Sequence, residues 1–351
     1  HPMKLGLLVN NVDTEKSDYT TTLIAKTATN MGHEVSYISI EKLSYSINDT
    51  VYANSVRVPP GQYHSLELYL KILHSKKAIL EQTTIDKLDV LWLRNDPAED
   101  VNNRPWARLA GINFGRLAMR HGVLVVNDPS GLNEAINKMY LQYFPEEVRP
   151  RAIITRDASD IKHFVDQEKG YAVLKPLSGS GGRNVFLIHP EDKFNINQII
   201  ESVAEDGFII AQEYLKKAKN GDTRLFLLNG KPLKVKNKIA AIHRHKDGDD
   251  DIRSNISAGA STQKAKVTPQ MLELAEIIRP KLVRDGMFLV GLDIVGSKLM
   301  EINVFSPGGL IGCERYENSK FCQEIIRSLE HKAEYIKRYN RHFNNTEMAT
   351  L

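Results

Sequence analysis

The stretch VGLDIVGSKLMEINVFSPGG, residues 290–309, sets two carboxylates and an amide, Asp293, Glu301 and Asn303, among apolar neighbours. Apolar runs on either side of Gly296-Ser297 read as two strands joined by a tight turn, and period two puts Glu301 and Asn303 on one face. A three-residue turn, 296–298, sets Asp293 directly opposite Glu301, whereas a two-residue turn puts the two acids on opposite faces. In the first case an all-oxygen donor set converges, the chemistry of Mg2+ shared with substrate phosphates. Two carboxylates that close in an apolar hairpin are costly without a cation. The plainer alternative is an edge hairpin whose acids are solvated.

A second segment, YAVLKPLSGSGGRNVFLI (171–188), carries Lys175 on an apolar run followed by Ser178 and the glycine-rich residues Gly179, Ser180, Gly181 and Gly182. A Walker A loop requires its lysine directly after the last glycine. A dinucleotide fingerprint requires a third glycine where Asn184 stands and a helix where a strand follows. What remains is strand, glycine hairpin, strand, a flap whose backbone N–H groups close over phosphate oxygens while Lys175 supplies charge from the strand below. Taken alone, the glycine run also fits a plain surface hairpin. Lys138, Arg224, Arg244 and Arg253 fall beside expected strand ends or loops. With the flap and the acids they outline a polyphosphate site, while Lys76-Lys77 and Lys216-Lys217 read as solvated faces.

The elements that must hold these groups divide in character. Residues 4–128 alternate strand and helix: strands at 4–10, 34–40, 88–97 and 123–128, helices at 19–33 and 104–122. That is the pattern of a parallel sheet whose strand ends point Arg94, Asn95 and Asp96 into a crevice, where open α/β sheets bind ligands. Asp128-Pro129-Ser130-Gly131 is a turn cluster and first boundary, with a helix expected over 132–144. From 151 onward short strands dominate, with an Asn229-Gly230 hairpin signal and the antiparallel region 287–304. Residues 243–255 read as a long mobile loop, too polar for either face of a sheet. The last element reads as a basic helix with a frayed end.

Composition closes off other classes. With 351 residues, 42% hydrophobic and 26% charged, the chain supports two or three globular units. A net charge of +4 from 47 basic and 43 acidic residues is too balanced for a nucleic-acid surface but permits a local anion site. No apolar stretch approaches the roughly 20 residues of a membrane span. Two cysteines, Cys313 and Cys322, are too few for a disulfide framework, which favours the cytoplasm. Cys313 reads as an inert thiol, since no His or acid partner is marked out near it. The acidic run in DGDDD lacks EF-hand spacing and reads as solvated. His1-Pro2 read as a leftover ahead of a native start at Met3, which opens directly into a strand with no basic region or cleavage site.

The ordered set Lys138, LKPLSGSGG, AQEYL, GDTRLFLLNGKP, RSNISAG, VGLDIVG and MEINVFSP, with LWLRNDP and VLVVNDPSGLNEAINK before it, closely resembles the bacterial glutathione synthetases of the ATP-grasp superfamily over residues 3–330. The resemblance implies an α/β fold with an N-terminal parallel-sheet domain (3–130), a small α+β lid (131–215), an antiparallel-sheet α+β unit (216–340) and a tail (341–351). It implies that Lys138 and Lys175 bind ATP phosphates under the 179–182 flap. Glu213, Tyr214, Leu215 and Asp222 would line the nucleotide site, and Asp293, Glu301 and Asn303 would hold Mg2+ or Mn2+. Arg224, Arg244, Arg253, Asn255 and Gly259 would surround the transferred phosphate and the acyl intermediate, with Arg94 and Asp96 near the amino-acid substrate. In such ligases a carboxylate attacks the γ-phosphate, and an amine then displaces phosphate from the acyl phosphate. The flap and 243–255 are candidate lids that exclude water.

The chain departs from the family where an arginine usually follows the metal-binding asparagine and the Ser-Pro. It reads Ser306-Pro307-Gly308-Gly309-Leu310, with Arg315 farther on, and Ser306, Gly308 and Gly309 are expected to meet a substrate carboxylate through backbone N–H groups. Three functions follow: glutathione formation, ligation of another amino-acid or peptide pair on the same fold, or a synapsin-like ATP-binding protein that does not ligate. The partners implied are small molecules, neither nucleic acid nor membrane, and homo-oligomers are frequent in the family.

Overall fold

The computed structural model describes residues 2–178, 184–245, 261–339 and 343–351. Strands β1 (Lys4–Val9), β2 (Glu34–Ser39), β3 (Leu43–Tyr45), β4 (Val51–Arg57), β5 (Ile79–Thr84), β6 (Val90–Leu93) and β7 (Leu124–Val126) form the first sheet. Its centre, β2-β1-β6-β7, is parallel. These strands are buried on both sides, which is why they read as unbroken apolar runs. β3, β4 and β5 extend it as an antiparallel flank.

β8 (Ala152–Thr155), β9 (Ala172–Pro176), β10 (Phe186–Ile188) and β11 (Ile209–Gln212) make a four-stranded antiparallel sheet, order β10-β9-β11-β8. Its apolar core draws on residues from 161 to 211, with the helices Ala158–Gln167 and Ile196–Ala204 covering it. The third sheet contains β12 (Asp222–Leu228) and the short β13 (Lys231–Pro232). After a two-residue-strand ladder, β14 (Lys234–Val235) with β15 (Lys238–Ile239), come β16 (Ala241–His245), β17 (Ser261–Lys264), β18 (Leu289–Val295) and β19 (Lys298–Asn303). Their order is β17-β16-β12-β18-β19, antiparallel throughout. Asn229 and Gly230 both take positive φ, 55° and 82°, the left-handed pair that a two-residue hairpin turn requires.

The first and third sheets share their apolar cores: Leu5, Trp92, Phe226, Phe288 and Ile325 belong to one continuous cluster. Asn127, 1% exposed, fastens them by donating to the Leu289 and Val304 carbonyls and accepting from the Leu289 N–H.

Three expectations are corrected. The helix expected over 132–144 is instead Pro129–Glu134 followed by a 3-10 turn, Lys138–Tyr143. Asp128 caps the first through the Ser130 and Gly131 N–H groups with proline at N1, and Asn137 caps the second, so the turn cluster starts a helix. Residues 243–245, expected in a loop, lie on β16, because Arg244 finds buried acidic partners across the sheet. The residues near the carboxyl end do not fray. Asn345–Ala349 is a helix with Met348 and Ala349 buried, and Asn345 bonds both the N–H and the C=O of Val125, on β7.

Candidate active site

One row of side chains crosses the third sheet. Arg244 stands opposite Asp222, Arg224 opposite Asp293, and Asp293 opposite Glu301. Directly paired residues share a face, as do residues two apart on a strand, so Arg244, Asp222, Arg224, Asp293, Glu301 and Asn303 all point the same way. The β18–β19 turn has only two residues, Gly296 and Ser297, yet Asp293 still faces Glu301. The reason is a β-bulge: the pairing runs Ile294 with Leu299 and then Asp293 with Glu301, leaving Met300 as an extra residue. The expectation that a two-residue turn separates the acids is therefore overturned.

The row is tightly bonded. Arg224 holds Asp293 in a fork, Nε to Oδ1 at 2.9 Å and Nη2 to Oδ2 at 3.0 Å, and its Nη1 donates to the Gly308 carbonyl at 3.0 Å. Gly291 leaves room for this, since a Cβ there would stand 2.8 Å from Pro307 Cβ and 3.4 Å from Arg224 Nε. Arg244 forks onto Asp222 at 2.8 Å twice and reaches Asp293 Oδ2 at 3.0 Å. Asn303 Nδ2 donates to the same oxygen at 3.1 Å. Burial works to raise the Asp293 carboxyl, but Arg224 and Arg244 outweigh it and hold it at about 2. Asp222 is instead raised, by burial and by the Asp293 charge.

Two lysines complete the site from the other side. Lys138, at the start of its 3-10 turn and tied by its N–H to the Leu177 carbonyl, reaches Glu301 Oε1 at 2.8 Å. That pairing outweighs burial for both partners, raising Lys138 and lowering Glu301. Lys175, on β9, lines the same cleft as Asp96, Lys138, Arg224, Glu301, Asn303 and Ser306. Among the described residues its ammonium has no hydrogen bond or ion pair. Burial, with Lys138 nearby, pushes it down from 10.5 to about 8. Four cations, Lys138, Lys175, Arg224 and Arg244, thus face three carboxylates, and the unmatched one is on Lys175.

Other expected residues are more dispersed. Glu213 follows β11, and its carboxylate is bonded by the Arg151 N–H and guanidinium, both at 2.8 Å. The Tyr214 ring stacks on Tyr171 at 6.3 Å, and Leu215 precedes the turn Lys216–Asn220. Arg94 and Asp96 lie just past the end of β6, where Asp96 N–H donates to Asn10 and Asn10 donates to the Asp96 carbonyl and to Asp100. Asn10 was not singled out in the sequence, although an asparagine ending a buried strand is a recognisable signal. Gly308 has open space where a Cβ would stand, and Gly309, φ 103°, precedes the helix Leu310–Glu317. Gly179, Ser180, Gly181, Gly182, Arg253, Asn255 and Gly259 lie outside the described residues. Lys76, Lys77, Lys216 and Lys217 are exposed, and Cys313 and Cys322 are buried free thiols.

The fold has solved counterparts. A D-cycloserine synthetase superposes with a TM-score of 0.62 over 93% of this chain and 99% of its own, at 14% identity. A macrocyclase bound to its precursor peptide, from Microcystis aeruginosa, gives 0.59 over 93% and 99%, also at 14% identity. At such identity the likeness is one of fold, and the fold is the ATP-grasp one. Sheet, cation cluster and carboxylate row together define an ADP-forming ligase that joins a carboxylate to an amine.

The chain belongs to the prokaryotic glutathione synthetase family, whose N-terminal domain matches residues 3–133 and whose ATP-grasp domain matches 137–318. Glutathione synthetase of Thermosynechococcus vestitus is 35% identical over 249 residues, 70% of this chain and 74% of that protein. That of Synechocystis sp. is 30% identical over 338 residues, 93% and 99%. ATP use and divalent-metal dependence accompany that membership. The residues fit both: Lys175 is a cation without an anion, and Glu301 and Asn303 are hard oxygen donors beside Asp293, with the Lys138 ammonium already in a cation's place on Glu301.

Proposed function

We propose that the chain forms glutathione from γ-glutamylcysteine and glycine, hydrolysing ATP to ADP and phosphate with Mg2+, or Mn2+ in its place. The unpaired Lys175 ammonium beside the Asp293–Glu301–Asn303 face carries this reading, because it is the one charge in the cleft that the protein leaves uncompensated. Lys175 and Lys138 would take phosphate oxygens, Lys138 exchanging Glu301 for the nucleotide. Asp293, Glu301 and Asn303 would hold the metal, which when bound neutralises charge between the phosphates. Arg224 and Arg244, fixed in their forks, would stabilise the negative charge that grows as the donor carboxylate meets the γ-phosphate. No protein nucleophile is required, and burial pushes the Cys313 thiol well up, out of nucleophilic range.

The missing arginine after Ser306-Pro307 supports a second reading, the same ligation on another amino-acid or peptide pair. Open space at Gly308 suits a substrate carboxylate approaching the backbone there. Phosphate release from ATP, measured with both substrates and then with each omitted, separates these. Release only with γ-glutamylcysteine and glycine together, with glutathione found by mass spectrometry, supports the first; ATP binding without turnover on this pair moves the search to other pairs. We further propose a cytoplasmic setting, suited to two free buried thiols, and units bounded near 130, 215 and 340. Homo-oligomerisation follows from the family alone.

A further inference from the structure

The crevice at the carboxyl ends of β1 and β6 holds a charge that the ligation chemistry leaves unused. Glu15 follows the short turn Val12–Thr14 after β1 and is 9% exposed. Neither of its carboxylate oxygens accepts a hydrogen bond from the described residues, and Oε1 is sealed from solvent. Burial raises this carboxyl to about 7, against the pull of Arg94. Arg94, 4% exposed, leans on the Trp92 ring and donates through Nε to Thr21 Oγ1 at 3.0 Å. Its Nη1 and Nη2 have no partner among the described residues. Burial lowers it to about 10, with Glu15 opposing. The two opposite charges act on each other without meeting as an ion pair. Thr20 Oγ1 is also buried without a partner.

A buried carboxylate is normally bonded or paired, because its desolvation is costly otherwise. A buried acid and base held apart, each with free hydrogen-bonding positions, are complementary to one ligand that carries both an ammonium and a carboxylate. The other titratable groups acting on Glu15 and Arg94 are Glu99, Tyr19, Tyr37 and Cys322, none of them a cation that could neutralise Glu15. Two residues beyond Arg94, Asp96 lines the cleft of Lys138, Lys175 and Glu301. A donor whose head lies at Glu15 and Arg94 therefore points its chain toward the phosphate site.

We propose that Glu15 receives the α-ammonium group of the carboxylate-donating substrate while Arg94 receives its α-carboxylate, so that Glu15 selects an amino-acid head group. For the donor's identity this rests on the synthetase reading. The test compares γ-glutamylcysteine with N-glutarylcysteine, which lacks only the amino group, in wild type and Glu15→Gln. Binding is measured by calorimetry without nucleotide, and kcat/KM with ATP and glycine.

Wild type should disfavour the amino-free compound by roughly 100-fold or more, since a site built for a polar group is left unpaired without it. Glu15→Gln should lose about the same factor on γ-glutamylcysteine and treat the two compounds alike, with KM for ATP unchanged. Its Tm should hold or rise, because a buried unpaired charge is removed. Equal discrimination by both proteins overturns the proposal while leaving the synthetase reading intact. So does a lowered Tm with a raised KM for ATP, which marks Glu15 as structural. Glu15-dependent binding of γ-glutamylcysteine without turnover keeps the proposal and refutes the synthetase reading. Binding of neither compound refutes both.

Discussion

Lys175 gives the phosphate site a pH signature. Burial and the Lys138 charge bring its ammonium from 10.5 to about 8, so the free protein begins to lose this charge just above neutrality. A bound phosphate favours the protonated form and restores the ordinary value. Linkage then fixes the sign: the nucleotide binds the protonated lysine better, so affinity is full below pH 8 and falls as pH rises through it. With free and bound values of about 8 and 10.5, the association constant drops about tenfold between pH 7 and pH 9. Lys138 does not contribute, because Glu301 raises it further above that window. The assay is calorimetric titration with a non-hydrolysable ATP analogue and Mg2+ at constant ionic strength, since screening alone changes such affinities. Lys175→Met should bind about 10- to 100-fold more weakly at pH 7, the worth of a charge-assisted hydrogen bond, and show no slope up to pH 9. A flat wild-type profile, or the same slope in Lys175→Met, would refute the reasoning.

Glu301→Gln keeps size and removes charge; kcat should fall by roughly 100-fold or more, while Tm, read by calorimetry, moves only about 2 °C because the side chain is 42% exposed. Asn127→Ala leaves the Leu289 N–H and the Leu289 and Val304 carbonyls without their side-chain partner. That should cost about 2–4 kcal/mol in urea unfolding, and a loss under 1 kcal/mol would mean that water replaces it. Cys313 and Cys322 are both buried, with burial pushing Cys322 up to about 12. Native protein should therefore resist iodoacetamide at pH 8 and keep its turnover, labelling at two sites only in denaturant. Rapid inactivation of the native form would contradict the burial.

The sequence by itself determined the elements whose signal is local. Unbroken apolar runs at Lys4–Val9 and Val90–Leu93 are doubly buried parallel strands, and Asn229-Gly230 supplies the two positive φ angles that its hairpin needs. It also determined the chemical inventory of the cleft, because Lys138, Lys175, Arg224, Asp293, Glu301 and Asn303 are polar groups at positions where strand patterning demands apolar ones. What it left open is how strands meet. The choice between facing and opposed acids turned on turn length, and a bulge at Met300, stabilised by pairing along β12 and β18, made that choice independent of the turn.

Only the tertiary structure decided which charges are matched. Arg244 reads as part of a polar loop until Asp222 and Asp293, 22 and 49 positions away, are brought beside it. Asn345 reads as part of a tail until the edge of β7 offers it both a donor and an acceptor. Glu15 is one acid in a polar stretch, NNVDTEKSD, and nothing in its neighbours announces that its oxygens will be enclosed without a partner. Periodicity records which side of an element is buried; burial of a charge, and whether anything answers it, depends on residues far along the chain, whose positions only packing sets.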